Sequence, residues 1–467
     1  MLKSYDAAVK RLDELFAVDR NYDFISREVS MAGRRARFYY IDSFIDSDIL
    51  QRLYVYLTGL TDAPDAESIR DFVSESMPCT EVSVEPDADK FVYFVLSGTA
   101  GMLVDGFGEA LIIDVRSYPT RGIEGSENDR VLRGAHDSFN ETVKKNSTLI
   151  RRRIRDPKLR FEKLTVGTAS QSDVVLAYIE GRADSDYVKL LRDKISSVKV
   201  DALTLGQQSL AECLVRRRWY DPFPKFRFTE RPDAAAAQIL EGYVVILCDT
   251  SPEAMILPTC LLDFMQETDD YYFPPLTGSY LRILRYIVFL MTLLVTPTWY
   301  LLITNPVWIP DWLGFIRVTS EYSLPIIAQL FLTEFALDGL KLASMNTPSS
   351  LSGTFGVVGG LILGDFAVQV GWFVPEVIVC MAFAAVANFS QSSYELGYAF
   401  KFMRMILLAL TWLLSLWGYV AGLVLIVVLA AVNPTANGKR NYLYPLIPFS
   451  GRALKRLLTR ERLKFTR

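Results

Sequence analysis

Hydrophobic positions change their spacing several times along this chain. From Met1 to about Thr61 they recur at helical intervals, with Leu12, Leu15 and Phe16 on one side, which predicts amphipathic helix. Compact runs follow: Phe91–Leu96 (FVYFVL), Ala100–Val104 (AGMLV) and Ala110–Val115 (ALIIDV). Gly98, Gly101, Gly106 and Gly108 separate or interrupt them, as in a small antiparallel meander. Asn140–Arg155 reads as a helix ending before Pro157, with Arg151, Arg152, Arg153 and Arg155 where cations suit the helix dipole. Phe161–Val166 and Val174–Ile179 then read as strands, and Asp184–Ile195, Leu205–Val215 and Ala234–Ile239 as helices. Tyr243–Cys248 is an apolar strand of the buried kind. The expected fold class is therefore two small α/β subdomains, residues 1–156 and 157–277, followed by an all-α transmembrane domain over 278–435 and a basic tail over 436–467.

In the membrane-like part, Leu281–Leu302 is long enough to span, since about 20 apolar residues cross the hydrocarbon. Arg282 and Arg285 mark its start as cytoplasmic, and Trp308 and Trp312 in the loop Asn305–Tyr322 suit interfacial anchoring. Pro325–Ala343 reads as a span, a re-entrant element or an interfacial helix. Gly353–Gly371 and Phe373–Phe389 are further spans. Phe402–Val432 exceeds one ordinary span, so it breaks near Gly418 and Gly422 or tilts. The tail sets Lys439, Arg440, Arg452, Lys455, Arg456, Arg460, Arg462, Lys464 and Arg467 against Glu461 alone, which places it in the cytoplasm. The charged N-terminus has no run of signal-peptide length and is expected there too. Crossings must then be even, so either Pro325–Ala343 does not cross or Phe402–Val432 crosses twice. Leu454, Leu457 and Leu458 share a face, so the tail is expected to lie on anionic lipid and not to bind nucleic acid.

Composition narrows the chemistry. The 467 residues are 51% hydrophobic and 22% charged with net charge −3, giving no whole-chain attraction to polyanions. Cys79, Cys213, Cys248, Cys260 and Cys380 form no Cys-x-x-Cys pair and read as small buried hydrophobes, not as a metal site or disulfide framework. His136 is the single histidine, which removes most triads and His-based acid–base schemes. No phosphate-binding glycine loop is present. No cofactor, metal or catalytic residue is expected, and an enzyme is the least favoured class.

Two constellations remain. Pro119–Arg155 mixes both signs with glycines, and Arg121, Glu124, Arg130, Arg133, Glu141, Arg151, Arg152 and Arg153 are candidates for an interface between subdomains or subunits, where the guanidinium fork suits carboxylates. In the membrane part, Ser352, Gly356, Gly360 and Gly364 fall at i, i+4, i+8 and i+12, a ridge that permits close helix approach. Asp365 follows it. Glu334, Asp338 and Lys341 fall on one face of the preceding helix, and Glu376 begins a later one. Acids at that depth should face protein or water. Glu334, Asp338, Lys341, Gly356, Gly360, Gly364, Asp365 and Glu376 are thus the candidate pore or ion-path residues, since rings of acids favour cations.

The ordered matches Pro119-Thr-Arg-Gly-Ile123, Arg133-Gly134, Phe139-x-Glu141, Asn146, Leu149-Ile-Arg-Arg-Arg-Ile154, Arg231-Pro-Asp233, Asp249-Thr-Ser-Pro252, Asp269-Asp-Tyr-Tyr272, Val357-Val-Gly-Gly360 and Tyr444-Pro-Leu-Ile-Pro448 resemble the A subunits of the GerA family of spore germination proteins. Gly371-Trp-Phe, Pro375-Glu376, Tyr394-Glu-Leu-Gly397 and Pro445-Leu-Ile-Pro-Phe449 resemble the stage V sporulation protein AF branch. The resemblance implies a protein of the spore inner membrane that oligomerises through its N-terminal domain, works with other germination membrane proteins and forms an ion channel. In that branch it implies an amplifier of ion release. One motif departs: Glu334-Phe-Ala-Leu-Asp338-Gly-Leu-Lys341 and Asn346-Thr-Pro348 lack the arginines of the family pattern.

Three functions stay open on this reading. A channel subunit would release monovalent cations. A secondary transporter would use broken helices and midplane acids, although no inverted repeat is visible between the halves of the membrane region. A receptor or scaffold would bind a ligand through the α/β part.

Overall fold

The computed structural model describes residues 4–31, 33–60, 69–78, 81–118, 134–215, 218–267, 269–346, 367–391 and 393–459. They divide into two compact units, one joining Met1–Arg217 to Phe226–Pro258 and the other joining Arg218–Lys225 to Thr259–Arg467.

The first unit holds two five-stranded antiparallel sheets. Its first half runs α1 (Tyr5–Phe16), β1 (Phe24–Met31), β2 (Arg34–Ile41), α2 (Ser47–Gly59), α3 (Ile69–Ser76), β3 (Val82–Glu85), α4 (Ala88–Leu96), β4 (Ala100–Val104) and β5 (Ala110–Ile113), with strand order β1-β2-β4-β5-β3. The second runs α5 (Val143–Arg153), β6 (Leu159–Val166), β7 (Ser172–Ile179), α6 (Ser185–Ser196), α7 (Gln207–Leu214), β8 (Arg227–Thr229), α8 (Pro232–Leu240), β9 (Val244–Cys248) and β10 (Ala254–Leu257), with order β6-β7-β9-β10-β8.

These halves are the same design used twice. The starts of α4, β4 and β5 lie at 88, 100 and 110, and those of α8, β9 and β10 at 232, 244 and 254, a constant displacement of 144. Pairing registers repeat as well: Ala100 faces Ile113 as Val244 faces Leu257, and Tyr39 faces Gly101 as Ala177 faces Val245. Even the punctuation recurs. Asp46-Ser47-Asp48 and Asp184-Ser185-Asp186 open α2 and α6, each first aspartate accepting two backbone N–H bonds, a cap worth about 1 kcal/mol. Gly98 and Gly242 follow α4 and α8 with φ of +100° and +98°, where a Cβ would be strained. The core side chains differ between the halves, which hides the repeat in the sequence.

Each sheet is covered on both faces. Phe16, Tyr39, Phe44, Phe91 and Val95 form one core of the first half, and Phe38, Leu53, Leu57, Met102 and Leu111 form the other. Full burial of such side chains contributes about 1.5–3 kcal/mol each.

Two expectations are corrected here. Residues 1–61 are not helical throughout. Phe24–Met31 and Arg34–Ile41 pair as a hairpin, because Ala36 and Phe38 turn inward while Arg35 and Arg37 turn outward, a period of two. FVYFVL is helix α4, not a strand. Asp87 caps it, Phe91, Val92, Val95 and Leu96 are buried and Tyr93 is exposed, a helical period that prevails over β propensity. Gly101 lets it settle on the sheet, since a Cβ there would collide with the Phe91 ring. The sheet is consequently not a simple meander.

The second unit is helical: α9 (Asp269–Tyr272), α10 (Pro275–Thr304), α11 (Ile326–Asn346), α12 (Pro375–Phe389), α13 (Tyr394–Val432) and α14 (Gly451–Leu458). Helices α10 and α13 are long and apolar enough to cross a membrane, and only 44% and 22% of their most apolar windows are buried within the chain. Ile287, Leu290, Leu413, Trp417, Val424 and Val428 face outward, as lipid-facing side chains would. Helix α13 breaks at Ser415 (φ 51°, ψ −129°). A Cβ on Gly418 would strike the Leu410 carbonyl, and one on Gly422 would meet the Leu407 side chain. In a straight helix Leu407 and Gly422 would lie roughly 22 Å apart, so the two limbs fold back on each other.

Candidate functional site

In the helical unit, charge is gathered between α11 and α13. Glu334, Asp338 and Lys341 are spaced i, i+4 and i+7 on α11, and Tyr394, Tyr398 and Lys401 are spaced the same way on α13, with Arg404 one turn further. Arg404 Nη2 donates to both oxygens of Glu334 at 2.7 and 2.8 Å, and its Nη1 donates to the carbonyl of Thr292 on α10 at 2.9 Å. Lys401 Nζ lies 3.4 Å from Glu334 and pairs closely with Asp338. Glu334, Lys401 and Arg404 are buried, while the Asp338 side chain is one-third exposed. Lys341 takes a different partner. Its ammonium lies 4.5 Å from the Tyr398 ring centroid, 4.7 Å from Tyr394 and 5.8 Å from Phe389.

Uncharged polar groups continue this seam. Gln391 Nε2 donates to Thr292 Oγ1 at 3.1 Å, and Gln329 Oε1 accepts from Val374 N at 2.9 Å. At the far end, buried Asp270 pairs with Arg285 at 2.7 Å and Arg282 at 3.5 Å. These groups form a polar interior inside an apolar exterior, the arrangement that ionisable residues at membrane depth require.

The candidates from sequence therefore fare differently. Glu334 and Asp338 are neutralised within the chain, and Lys341 is held by aromatic rings. Glu376 stands in the first turn of α12, and its buried Oε2 meets no hydrogen-bond partner among the described residues. Gly356, Gly360, Gly364 and Asp365 lie outside the described residues. Sequence reasoning missed Lys401 and Arg404 as members of the constellation. Their signal was present, because two bases three residues apart in an otherwise apolar helix need partners at that depth.

The basic helix α5 ties the two halves of the first unit. Arg151 is fully buried. It donates to Asp23 at 2.9 and 3.2 Å and to the Leu159 carbonyl, and stacks on Phe24 of β1 and Phe161 of β6. Arg152 stacks on Tyr118, and Arg153 binds Asp137 at 2.6 Å. Glu141 is exposed and acts through its carbonyl, which accepts from Thr250 N at 2.7 Å. Arg121, Glu124, Arg130 and Arg133 lie outside the described residues. Asp249 and Asn21 were missed: Asp249 accepts from Val143 N at the start of α5, and Asn21 accepts from Phe161 N at 2.8 Å. Cys248 and Cys380 are buried as expected, whereas Cys213 is exposed, on the outer side of α7. Cys79 lies outside the described residues, and His136 is exposed.

The family model described as Bacillus/Clostridium GerA spore germination protein matches residues 10–467. The chain belongs to the GerA family of spore germination proteins. Among GerA relatives, it is 37% identical to stage V sporulation protein AF of Bacillus subtilis (strain 168), over 94% of this chain and 89% of that one. It is 26% identical to spore germination protein KA of the same organism, over 95% and 82%, and 28% identical to spore germination protein GerLA of Bacillus cereus, over 86% and 82%. These are names of sporulation and germination proteins, not of enzymes. The crystal structure of the N-terminal domain of the A subunit of the Bacillus megaterium spore germinant receptor GerK3 matches with TM-score 0.41 and 22% identity, over 54% of this chain and 94% of that one.

Proposed function

We propose that this GerA-family chain is a membrane subunit of a spore germination complex, an oligomeric channel that releases monovalent cations from the spore core and so amplifies the germination signal. The observation that carries this reading is the charged seam of Glu334, Asp338, Lys401 and Arg404 within helices whose outer faces are apolar. Such residues are retained in membranes where a polar path needs them. The chain would sit in the spore inner membrane with both termini on the core side. Helices α10, α11 and α12, the two limbs of α13 and one span within 353–371 would make six crossings. The limb 394–414 would reach about 31 Å and the limb 416–432 about 25 Å, near the thickness of the hydrocarbon. A ring of copies, assembled with other germination membrane proteins, would bring the ridge Gly356–Gly364 and Asp365 to a central path. The basic helix α14 would rest on anionic lipid.

Planar-bilayer recordings of the purified chain test this directly, with single-channel steps and cation preference expected. If Asp338→Asn and Asp365→Asn both left conductance and preference unchanged, the path assignment would fail. Electron microscopy of detergent-solubilised particles should show a closed ring with a central opening, and isolated monomers would count against it. The Glu334–Arg404 pair also suits a transporter, whose carboxylate and base exchange partners during a cycle. Saturable substrate exchange in proteoliposomes, without channel steps, would identify that alternative.

A further inference from the structure

Lys341 is surrounded in a way that ion pairing alone does not require. Phe389 ends α12, Tyr394 begins α13 and Tyr398 follows one turn later, so three rings from two helices converge on one ammonium supplied by a third. Asp338, one turn before Lys341, stands at the rim. The faces of aromatic rings attract cations that hydrate weakly, alkylammonium ions above all. Tyr394 and Phe389 are more than half exposed, so the cage opens outward and not into the packed interior. Tyr398 also lies 5.9 Å from the Lys401 ammonium, which links the cage to the Glu334–Arg404 seam.

We propose that Phe389, Tyr394, Tyr398 and Asp338 form a binding subsite for a small, weakly hydrated monovalent cation, and that Lys341 is its built-in occupant. In the closed arrangement the tethered ammonium fills the cage. A free cation enters only when Lys341 withdraws, so the lysine acts as an internal competitor. Cation binding at this subsite does not require ion conduction. Its consequence for gating rests on the channel reading.

The test uses the full chain in detergent, titrated calorimetrically with tetramethylammonium chloride and separately with potassium chloride. Lys341→Met should bind tetramethylammonium at least about tenfold more tightly than the unaltered chain. Lys341→Arg, which refills the cage, should bind no better than the unaltered chain, and Lys341→Met combined with Tyr398→Leu should lose the gain. Binding of both cations would assign a general monovalent site, and of tetramethylammonium alone an alkylammonium site; each supports the proposal. No gain in Lys341→Met, with helicity and elution volume unchanged, would overturn it. If Lys341→Met fails to fold, amine-reactive labelling of Lys341 is read by mass spectrometry in the otherwise unaltered chain and in Tyr398→Leu. Severalfold faster labelling in Tyr398→Leu is expected, and equal rates would overturn the cage. Binding without any flux in liposomes would refute the channel reading and leave the subsite standing.

Discussion

Arg404 and Arg151 are single residues that each satisfy several partners at once. Removing one member of a buried ion pair leaves the other charge unpaired, at about 3–5 kcal/mol. Arg404→Met should therefore lower the thermal unfolding midpoint in detergent sharply, and Glu334→Gln added to it should recover most of the loss. If the double variant were as unstable as the sum of the two single ones, the pair would not be coupled. Arg151→Met should destabilise by a similar amount through Asp23, measured by a lowered midpoint of the first unit's unfolding transition on heating. Cysteine chemistry separates by burial. Burial, aided by Asp249, pushes the Cys248 thiol up to about 12, so almost none of it is thiolate near neutrality. Maleimide at pH 7.5 should label Cys213 but reach Cys248 only after denaturation, as located by peptide mass spectrometry. Labelling of Cys248 in the native chain would contradict its burial.

Helix α13 shows what an element can conceal. It carries no charged residue from Met405 to Val432, because both limbs face the same kind of surroundings. Length alone announced a problem, and Gly418 and Gly422 indicated where. The break falls at Ser415, three residues before Gly418, with the glycines serving as the contact face of the second limb. Ser415→Gly should stabilise the chain by roughly 1 kcal/mol, because φ near +51° strains any residue with a Cβ. Gly418→Leu should prevent the limbs from closing and lower the unfolding midpoint by several degrees. A midpoint unmoved by Gly418→Leu would show that the limbs do not touch there. FVYFVL is a helix for a related reason. Composition favoured a strand, but the cap at Asp87 and the left-handed Gly98 bound a segment only nine residues long, and its burial follows the helical period.

At the scale of the whole molecule, the first unit is a duplication and the second is a bundle built around paired charges. Helix α5 opens the second repeat and also ties it to the first, which explains why Arg151 is buried when a solvated linker would leave it exposed. The family assignment was legible because short motifs such as Asp249-Thr-Ser-Pro252 mark caps and turns, and local geometry restricts residue choice there. Asp249 holds the start of α5 and Thr250 adopts φ +63°. The duplication was not legible, because register and caps repeat while the packed side chains do not.

The sequence by itself determined that the first part is α/β, which segments are apolar enough for a membrane, and which family the chain belongs to, since each is written in local periodicity, run length or motif. Only the tertiary structure decided which charges meet. Glu334 finds Arg404 seventy residues away and Asp338 finds Lys401 sixty-three away, and no local pattern encodes that pairing. It depends on which helices lie side by side, here α11 on α12 and α13 on α10, with long side chains spanning the space between α11 and α13. Glu334 and Asp338, which looked available to passing cations, are thereby matched by bases of the same chain, and three aromatic rings surround the Lys341 ammonium.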